Sequence, residues 1–354
     1  MTFAIAAAGT GGHVYPALSL ARALEELGVA RDEILFLGGD RLESRVVPEA
    51  GYPYQGFRLA RLRRALTVEN LKIPWVVRGT ARAMASRLSD SRVVVGMGGY
   101  VTVPASMAAR LAAIPFFLQE QNATPGLASR FAARRAVATF LGLPGKAERL
   151  PRSKVVGNPL RPEIATLDRS ALRGEAHRRY GVSGARVLGI LGGSLGARVL
   201  NEAASGLAAR SGADAVVHLT GPDAFAEMTR LAQGSEVPWA CRPFEADMEY
   251  FYAAADLVVC RAGAMTVSEL AATGTPSVLV PLERVGQGWN ARTLAETGGA
   301  MVVDQSDAGD LPEVVHRVLG DDAALERMGA DARRAGRPGA AMVIARRLVE
   351  AARA

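Results

Sequence analysis

The chain has 354 residues, of which 49% are hydrophobic and 22% are charged. This apolar fraction excludes intrinsic disorder, and the length predicts two or three domains at about 150 residues each. The 38 glycines follow no three-residue period, which excludes a collagen-like fibre.

The two cysteines and four histidines lack the spacing of a metal site, so no metal is expected. Two cysteines in a chain of this length are typical of a reducing compartment. The first residues read as a β-strand rather than as a signal peptide. The longest apolar stretch, residues 105–118, is interrupted by Arg110 and Pro115, so no membrane span is predicted. These features together predict a cytosolic protein.

Charge is unevenly distributed along the chain. Residues 1–165 hold 22 basic and 12 acidic side chains, whereas residues 166–354 hold 20 and 23. The basic excess is concentrated at residues 58–87, where the only acidic residue is Glu69. Such a cluster favours an anionic partner, which could be a membrane surface, a nucleic acid or a phosphorylated substrate.

Short apolar runs alternate with segments of helical period through the first half of the chain. Strands are predicted over residues 3–8, 33–37, 53–58, 92–95, 115–118, 136–139 and 154–156, and helices near 14–27, 42–50, 76–88, 104–112 and 127–133. This alternation is typical of a doubly wound parallel sheet. Two prolines in the segment 157–162 end it.

The same alternation restarts at a helix predicted over residues 170–180. Strands are predicted over 187–191, 215–219, 257–260, 277–280 and 300–303, and helices near 197–210, 224–231, 265–272, 290–297, 308–319, 323–335 and 340–352. The sequence therefore predicts an α/β fold of two similar halves, each of ordinary domain size.

Three glycine-rich loops follow predicted strands, at residues 8–12, 96–99 and 192–196. Open α/β sheets bind ligands at the carboxyl ends of their strands, and a glycine loop that opens a helix favours an anion. The first loop lacks the third glycine of G-x-G-x-x-G, and no acidic residue ends the second strand, which disfavours a nicotinamide cofactor. The alternative for each loop is a tight strand-to-helix turn without a ligand.

His13 stands at the start of the first predicted helix. The positive end of the helix dipole predicts a neutral imidazole near pH 7, and a neutral imidazole in a cleft can act as a general base. The alternative is a histidine that only caps the helix or binds the backbone.

Three polar groupings follow later strands. Thr266 and Glu269 share a face near a helix start, where the carboxylate could accept ribose hydroxyls or complete a capping box. The run 119–122 and the pair Gln287 and Asn290 suit sugar hydroxyls, with ordinary loop polarity as the alternative.

In this order, the motifs resemble those of one family over essentially the whole chain. The segments that carry the resemblance are Gly9-Thr10-Gly11-Gly12-His13-Val14, Gly96-Met97-Gly98-Gly99-Tyr100, Glu120-Gln121-Asn122, Gly157-Asn158-Pro159, Gly193-Ser194, Thr266-Val267-Ser268-Glu269 and Asn290-Ala291-Arg292. The family is MurG, the lipid I N-acetylglucosaminyltransferases of bacterial peptidoglycan synthesis, which are inverting enzymes of the GT-B superfamily.

The resemblance implies two Rossmann-like, doubly wound parallel-sheet domains that face each other across a cleft. Residues 1–160 would form the acceptor- and membrane-facing domain, and residues 161–335 the UDP-sugar-binding domain. A C-terminal helix in residues 336–354 would pack back on the first domain.

The resemblance also implies roles for individual residues. His13 would be the base or a contact to the acceptor diphosphate. Thr10, Gly11 and Gly12 would face the sugar and diphosphate of the donor or acceptor, and Asn122 would face the amino sugar. Arg161 and Ser194 would bind the donor phosphates, Phe244 would lie against the uracil ring, and the backbone near Glu245 and Met265 would contact the edge of the base. Glu269 would bind the ribose hydroxyls, and Gln287 would bind the GlcNAc hydroxyls. The other substrate-binding positions implied are Gly98, Gly99, Tyr100, Glu120, Ala264, Thr266 and Asn290.

The chain departs from the family pattern at three positions. Gln119 stands where a histidine commonly precedes Glu-Gln-Asn, so that histidine cannot be essential here. Leu195 replaces the usual glutamine of the third glycine loop, so an amide contact to the donor is lost or supplied otherwise. Gly286 replaces the usual histidine before Gln287.

The expected reaction is transfer of GlcNAc from UDP-GlcNAc to the 4-hydroxyl of MurNAc in undecaprenyl-diphospho-MurNAc-pentapeptide, lipid I, with inversion. The loop 192–198, its helix dipole and Arg161 would stabilise the departing UDP. No D-x-D pair ends a strand, so the sequence requires neither a metal nor another cofactor. The alternatives are an enzyme like UDP-GlcNAc 2-epimerase and a sugar-nucleotide-binding protein without activity.

Because the acceptor is a lipid and the sequence has no span or lipidation motif, peripheral docking on the cytoplasmic face of the bacterial membrane is expected through residues 58–87, with no nucleic acid partner. Arg61, Arg63 and Arg64 would meet anionic headgroups, beside apolar residues around Trp75. Pro74 predicts a helix break, so that a loop and the first turn of a helix would enter the interface. The alternative is a solvated basic face beside a core helix.

Overall fold

The computed structural model describes the backbone of residues 2–59 and 68–354 and the side chains of residues 2–59 and 73–354. The chain divides into two compact units, one formed by Met1–Arg161 with Gly339–Ala354 and the other by Pro162–Pro338. Each unit is a parallel sheet with its own helices.

The first unit contains a sheet whose described strands run in the order β3-β2-β1-β4-β5-β6-β7. The strands are β1 (Thr2–Ala6), β2 (Ile34–Gly38), β3 (Tyr54–Gly56), β4 (Ser91–Gly96), β5 (Phe116–Glu120), β6 (Ala138–Leu141) and β7 (Ser153–Val155). The helices are α1 (Gly11–Glu26), α2 (Leu42–Glu49), α3 (Val68–Ala85), α4 (Thr102–Leu111) and α5 (Leu127–Ala133), with a 3-10 turn at Lys146–Arg149 and another at Arg31–Glu33.

Both faces of this sheet are covered. Ile5 and Phe36 pack on the side of α1, whereas Ala4 and Val94 pack against α3 and α4 on the other side. A parallel sheet buried on both faces is built from nearly continuous apolar strands, which is why the strand predictions were possible from composition.

The second unit repeats this arrangement with the strand order β10-β9-β8-β11-β12-β13. The strands are β8 (Val187–Leu191), β9 (Ala215–Leu219), β10 (Trp239–Arg242), β11 (Leu257–Cys260), β12 (Ser277–Leu279) and β13 (Ala300–Val302). The helices are α6 (Pro162–Ala165), α7 (Arg169–Tyr180), α8 (Arg198–Arg210), α9 (Phe225–Gln233), α10 (Met248–Ala254), α11 (Ala264–Thr273), α12 (Gln287–Ala295), α13 (Leu311–Leu319) and α14 (Asp322–Ala335), with 3-10 turns at Glu283–Val285 and Gln305–Asp310.

The last helix, α15 (Ala340–Arg353), belongs to the first unit. It packs against α1 and buries Ile344, Ala345 and Leu348 in the core on that face of the first sheet. This one helix therefore completes a core whose other residues lie at or before Val156 in the chain.

The helix α3 runs through Pro74, where the sequence predicted a break, and that prediction is wrong. A proline inside a helix lacks one N–H donor and crowds the preceding turn. The later part of α3 compensates, because Ala81 and Met84 are fully buried and α3 packs along α4. Packing of one helical face outweighs a local preference.

The sequence prediction missed β10 and α10. Trp239–Arg242 is an edge strand of mixed polarity that pairs only with β9 in the described sheet. The seven-residue helix α10 packs along α7 and places Phe251 and Tyr252 in the interior. Both elements are too short to carry a periodic signal, and they depend on partners far along the chain.

The strand order reverses direction at one place in each sheet, between β1 and β4 and between β8 and β11. Ligands of open α/β sheets bind in the crevice outside the carboxyl ends of the strands at such a reversal. The glycine loops predicted to carry function follow β1, β4 and β8, so the topology brings them to these two crevices.

Candidate functional site

The first glycine loop joins β1 to α1. Gly9 has a φ of +108°, and a Cβ atom there would lie 3.2 Å from the Tyr100 ring, so only glycine suits the position. Thr10 is extended and α1 begins at Gly11. The first turn of α1 carries no acidic side chain, so the positive end of its dipole favours an anion beside Thr10, Gly11 and Gly12.

The second glycine loop, after β4, lies against His13. Gly98 and Gly99 have φ values of +78° and +70°. A Cβ atom on Gly98 would lie 2.8 Å from Oε1 of Gln121, and one on Gly99 would lie 3.4 Å from Nε2 of His13. Glycine therefore lets this backbone pass directly beside the imidazole, and Tyr100 follows it to cover Gly9.

His13 is half-buried at the start of α1. Its Nδ1 lies 3.2 Å from Oγ1 of Thr10. Burial lowers the pKa of His13, while the carboxylates of Glu120 and Glu43 oppose that decrease. The predicted neutral imidazole agrees with this direction, but burial, rather than the helix dipole, is the main cause.

Glu120 and Asn122 meet at the end of β5. Oε1 of the buried Glu120 accepts hydrogen bonds from the backbone N–H of Asn122 at 3.0 Å and from its side-chain Nδ2 at 3.1 Å. The structure thus brings Glu120 and Asn122 to the same sheet edge as His13.

Gln119, which replaces the usual family histidine, points into the protein. It is fully buried and donates from Nε2 to Oδ1 of Asn158 at 2.8 Å. Asn158 donates to the Gln121 carbonyl oxygen at 3.2 Å, and Gln121 donates to the Met97 carbonyl oxygen at 2.6 Å. This chain of amides braces the second glycine loop, so residue 119 has a supporting role in this protein.

Arg161 is the last residue of the first stretch of the first unit. Its guanidinium lies 5.8 Å from the centre of the Tyr15 ring on α1. The structure therefore places this candidate phosphate ligand near the beginning of α1, within the first unit.

The third glycine loop joins β8 to α8 in the second unit. Gly196 has a φ of +77°, and a Cβ atom there would overlap the Thr220 carbonyl oxygen. Asn201 of α8 donates to the same carbonyl oxygen at 3.1 Å. Ser194 and Leu195 project from this braced loop, and Leu195 is 81% exposed.

Glu269 lies in the second turn of α11, which begins at Ala264 after the N-cap Gly263. A capping box would need Thr266 at the N-cap, but Thr266 lies inside the helix and Gly263 is the N-cap. The capping-box interpretation of Thr266 and Glu269 is therefore wrong. The Tyr252 hydroxyl donates to Oε2 of Glu269 at 2.8 Å and orients the carboxylate. Met265 and Thr266 are half-buried beside it, and Ala264 is buried.

Phe244 and Glu245 follow β10 and differ in exposure. The Phe244 ring is 51% exposed, as a stacking platform must be. Glu245 is buried and accepts hydrogen bonds from the Tyr180 hydroxyl at 2.8 Å and from Arg179 at 2.9 Å. The side chain of Glu245 thus points into the unit and leaves its backbone as the candidate ligand contact.

Gln287 and Asn290 stand on the first turns of α12. Oε1 of Gln287 accepts a hydrogen bond from the Leu282 backbone at 2.9 Å. Asn290 is buried and donates to the Ala262 carbonyl oxygen at 3.2 Å. Asn290 therefore braces the loop that leads into α11, whereas Gln287 stays half-buried at the surface.

Sequence reasoning missed two residues that complete these sites, Glu43 and Tyr252. Glu43 is fully buried beside the first glycine loop, and Tyr252 orients Glu269. The one available signal was the position of Glu43 four residues before Val47, on the inward face of α2. Within the described residues, no group of three or more His, Cys, Asp or Glu side chains is arranged to hold a metal ion.

Comparison with known proteins gives matches to both units. Residues 3–141 match the family model described as glycosyltransferase family 28 N-terminal domain, and residues 187–343 match the corresponding C-terminal domain. Together the two models extend over most of the chain: the first lies in the first unit, and the second covers most of the second unit and ends at residue 343 in α15.

Several curated relatives bear the name UDP-N-acetylglucosamine–N-acetylmuramyl-(pentapeptide) pyrophosphoryl-undecaprenol N-acetylglucosamine transferase. The protein from Mycobacterium sp. (strain KMS) is 41% identical over 364 aligned positions, covering 99% of this chain and 95% of that protein. The one from Rhodococcus opacus (strain B4) is 39% identical and covers 98% and 95%.

Among solved structures, MurG of Acinetobacter baumannii superposes with a TM-score of 0.76 at 28% identity, covering 99% of this chain and 100% of that chain. UDP-GlcNAc 2-epimerase from Neisseria meningitidis, bound to UDP-GlcNAc, has a TM-score of 0.69 at 14% identity over 99% and 100%, a likeness of fold alone. The two-unit α/β fold is therefore of the GT-B type, and the chain belongs to the MurG family of glycosyltransferases within glycosyltransferase family 28.

Proposed function

We propose that this chain transfers GlcNAc from UDP-GlcNAc to the 4-hydroxyl of MurNAc in undecaprenyl-diphospho-MurNAc-pentapeptide, with inversion at the anomeric carbon. The observation that carries the proposal is similarity over nearly the whole length, at 41% identity, to a transferase named for this donor and this acceptor. The placement of the candidate residues at the two sheet crevices supports it.

In the first unit, His13 acts as the general base. Burial keeps its imidazole neutral, and Nε2 lies beside the backbone of Gly99, at the open edge of the sheet. The base takes the proton of the acceptor hydroxyl while that oxygen attacks the anomeric carbon of GlcNAc. The bond to UDP breaks on the opposite side of the carbon, so a single displacement inverts its configuration.

In the second unit, the donor contacts are hydrogen bonds and a ring surface. Phe244 lies against uracil, and Glu269, oriented by Tyr252, accepts the ribose hydroxyls. Ser194 and the start of α8 hold the diphosphate, where preorganised N–H groups stabilise the charge of the departing UDP. Arg161 is the further residue proposed to bind the donor phosphates.

The reaction is tested by measuring UDP release from UDP-GlcNAc with and without a short-chain lipid I analogue. The proposal expects release that depends on the acceptor and a β-linked disaccharide product. UDP release without acceptor, or epimerisation at C2 of the sugar, would contradict it and favour the epimerase alternative. The His13→Ala variant, purified in the same way, serves as the control for contaminating activity.

For the lipid acceptor, we propose peripheral docking on the cytoplasmic face of the membrane through α3 and the residues before it. Trp75 is 71% exposed, and Arg78 and Arg82 are exposed further along the same helix. Interfacial tryptophan with basic neighbours suits an anionic leaflet. No helix in the described part of the chain combines the length and apolarity needed to cross a bilayer.

The predicted contacts of Arg61, Arg63 and Arg64 lie outside the described residues. Changing these three residues together to glutamate is expected to abolish co-sedimentation with anionic vesicles while UDP affinity is retained. Trp75→Ala provides a matched test on the described surface. Vesicle binding that resists both changes and high salt would contradict this docking site.

A further inference from the structure

Glu43 is a carboxylate without solvent contact in the first turn of α2. Its Oε2 accepts a hydrogen bond from the Gly9 backbone at 3.1 Å, and its Oε1 accepts one from the Gly39 backbone at 3.0 Å. No lysine or arginine among the described side chains forms an ion pair with it. A buried carboxylate without a cation is costly unless hydrogen bonds satisfy it, and the two backbone N–H groups supply those hydrogen bonds.

The two glycines that Glu43 binds belong to the loops after β1 and β2. The Gly9 backbone is held at a φ of +108°, directly before Thr10. The Tyr54 hydroxyl donates to the Gly39 carbonyl oxygen at 2.5 Å, so Gly39 is fixed on both sides. Glu43 thus ties the first glycine loop to the rigid end of β2, and it sets the path of the backbone into His13.

Glu43 is also close enough to His13 to act on its charge. The carboxylates of Glu43 and Glu120 both raise the pKa of the imidazole against the effect of burial. Other titratable groups on the neighbouring elements are the phenols of Tyr15, Tyr54 and Tyr100 and the carboxyl group of Asp40. Burial and Glu43 raise the pKa of Tyr54, so that phenol stays protonated and uncharged.

Arg161 lies over the Tyr15 ring on α1, and α2 carries Arg45 after the N-cap Arg41. The charged groups that act on the imidazole are the carboxylates of Glu43 and Glu120, and negative charge favours the imidazolium form. An imidazolium is the species that His13 becomes when it accepts a proton.

We infer that Glu43 is a positioning residue for His13, which holds the first glycine loop in place and stabilises the imidazolium formed during glycosyl transfer. The inference rests on the proposed function, in which His13 is the base. The proton moves from the acceptor hydroxyl to the imidazole, the new O–C bond forms, and the electron pair of the broken bond leaves with UDP.

The test compares the wild type with Glu43→Gln and with the control Glu49→Gln, an exposed glutamate on the same helix. Two quantities are measured: the pH dependence of kcat, and the titration of the His13 ring by NMR, with the His13→Gln spectrum assigning its signal among the four histidines. In Glu43→Gln, we expect kcat to fall about tenfold or more and both the acid limb and the His13 titration to move to lower pH by about one unit. The control should behave as the wild type does.

An unchanged His13 titration in folded Glu43→Gln, or an unchanged kcat, would overturn the inference, because a purely structural role lowers activity without moving the titration. Thermal unfolding checks that the variant folds. If it does not fold, Glu43→Asp carries the test, since it keeps the charge but withdraws it from the two glycine N–H groups. It is expected to lose kcat while keeping the acid limb near the wild-type pH, and full activity would overturn the inference.

Failure of the proposed base is a separate result. His13→Gln with wild-type kcat and an unchanged acid limb would reject His13 as the base. The NMR titration in Glu43→Gln needs no turnover, so it still reports whether Glu43 acts on the imidazole. The two failures are therefore distinguishable.

Discussion

The two units place their candidate sites at equivalent points of equivalent sheets but equip them with different chemistry. In the first unit, the loop at the reversal of strand order carries a histidine on whose charge two buried carboxylates act, those of Glu43 and Glu120. In the second, the corresponding point holds an exposed glycine loop and Glu269, oriented by a tyrosine. The fold determines where a ligand binds, and the side chains determine whether the site moves a proton or only holds its ligand.

Removal of the proposed base, His13, should have the largest effect. His13→Ala is expected to lower kcat by about 10²–10⁴-fold, the usual loss for a general base, while calorimetry shows an unchanged UDP affinity. Retention of more than about a tenth of the wild-type kcat, on that scale, would mean that the first site does not carry the proton transfer.

The next effect concerns the glycine loop of the second unit. Gly196→Ala adds a Cβ atom that overlaps the Thr220 carbonyl oxygen at a φ of +77°. The free energy of unfolding of this variant should fall by about 3 kcal/mol, because the substitution strains the backbone and overpacks the loop. The variant should also lose UDP binding. Gly193→Ala is the matched control, because its φ is +85° with open space around it, and it should cost only about 1 kcal/mol. Equal losses in urea unfolding would show that the loop is not braced.

A contact that only holds the donor should have a smaller and uniform effect. Glu269→Ala is expected to weaken UDP and UDP-GlcNAc equally, by about thirtyfold, which corresponds to about 2 kcal/mol for hydrogen bonds to a charged group. Arg161→Ala should weaken UDP far more than uridine, since it removes a phosphate contact. Calorimetry with the three ligands measures both, and an unchanged UDP affinity in Glu269→Ala would assign that carboxylate a structural role.

The smallest effect concerns His218 of the second unit, which is fully buried, whereas His13 of the first unit is half-buried. Nε2 of His218 pairs with Oδ1 of Asn201 at 3.0 Å, and burial alone lowers its pKa from 6.5 to about 3. Below about pH 6.5 the imidazole of His218 is protonated in the unfolded chain but stays neutral in the folded chain. The free energy of unfolding therefore decreases as the pH falls below 6.5. Between pH 7 and 5.5 the loss is about 1 kcal/mol.

Urea unfolding of the wild type and of His218→Gln at the two pH values isolates this term. The variant keeps a side-chain N–H for Asn201 but no group that titrates in this range. An identical pH dependence in both proteins would show that His218 is not the cause.

Much of the fold could be predicted from the sequence because most strands are buried on both faces and most helices are long. The runs around Ile5, Val94 and Ile190 are apolar and short, and the intervening segments are helical in period. The glycine loops were also recognisable, since Gly9, Gly98 and Gly196 each adopt a positive φ that the motif anticipates. These signals are local, so they are readable in a single stretch of sequence.

The tertiary structure alone decided how the polar residues divide between the interior and the ligand side. In the sequence, Asn290 and the run that begins at Gln119 suit the binding of sugar hydroxyls. In the structure, both side chains are buried and form hydrogen bonds that hold other loops in place. Glu43 reads as a helix-surface acid, yet it ties Gly9 to Gly39. The hydrogen bonds of Asn290 to Ala262, of Gln119 to Asn158 and of Glu43 to Gly9 join residues 28 to 39 positions apart in the sequence. Such contacts form only when the sheet has assembled. No local sequence pattern encodes which distant group a buried polar atom will bind.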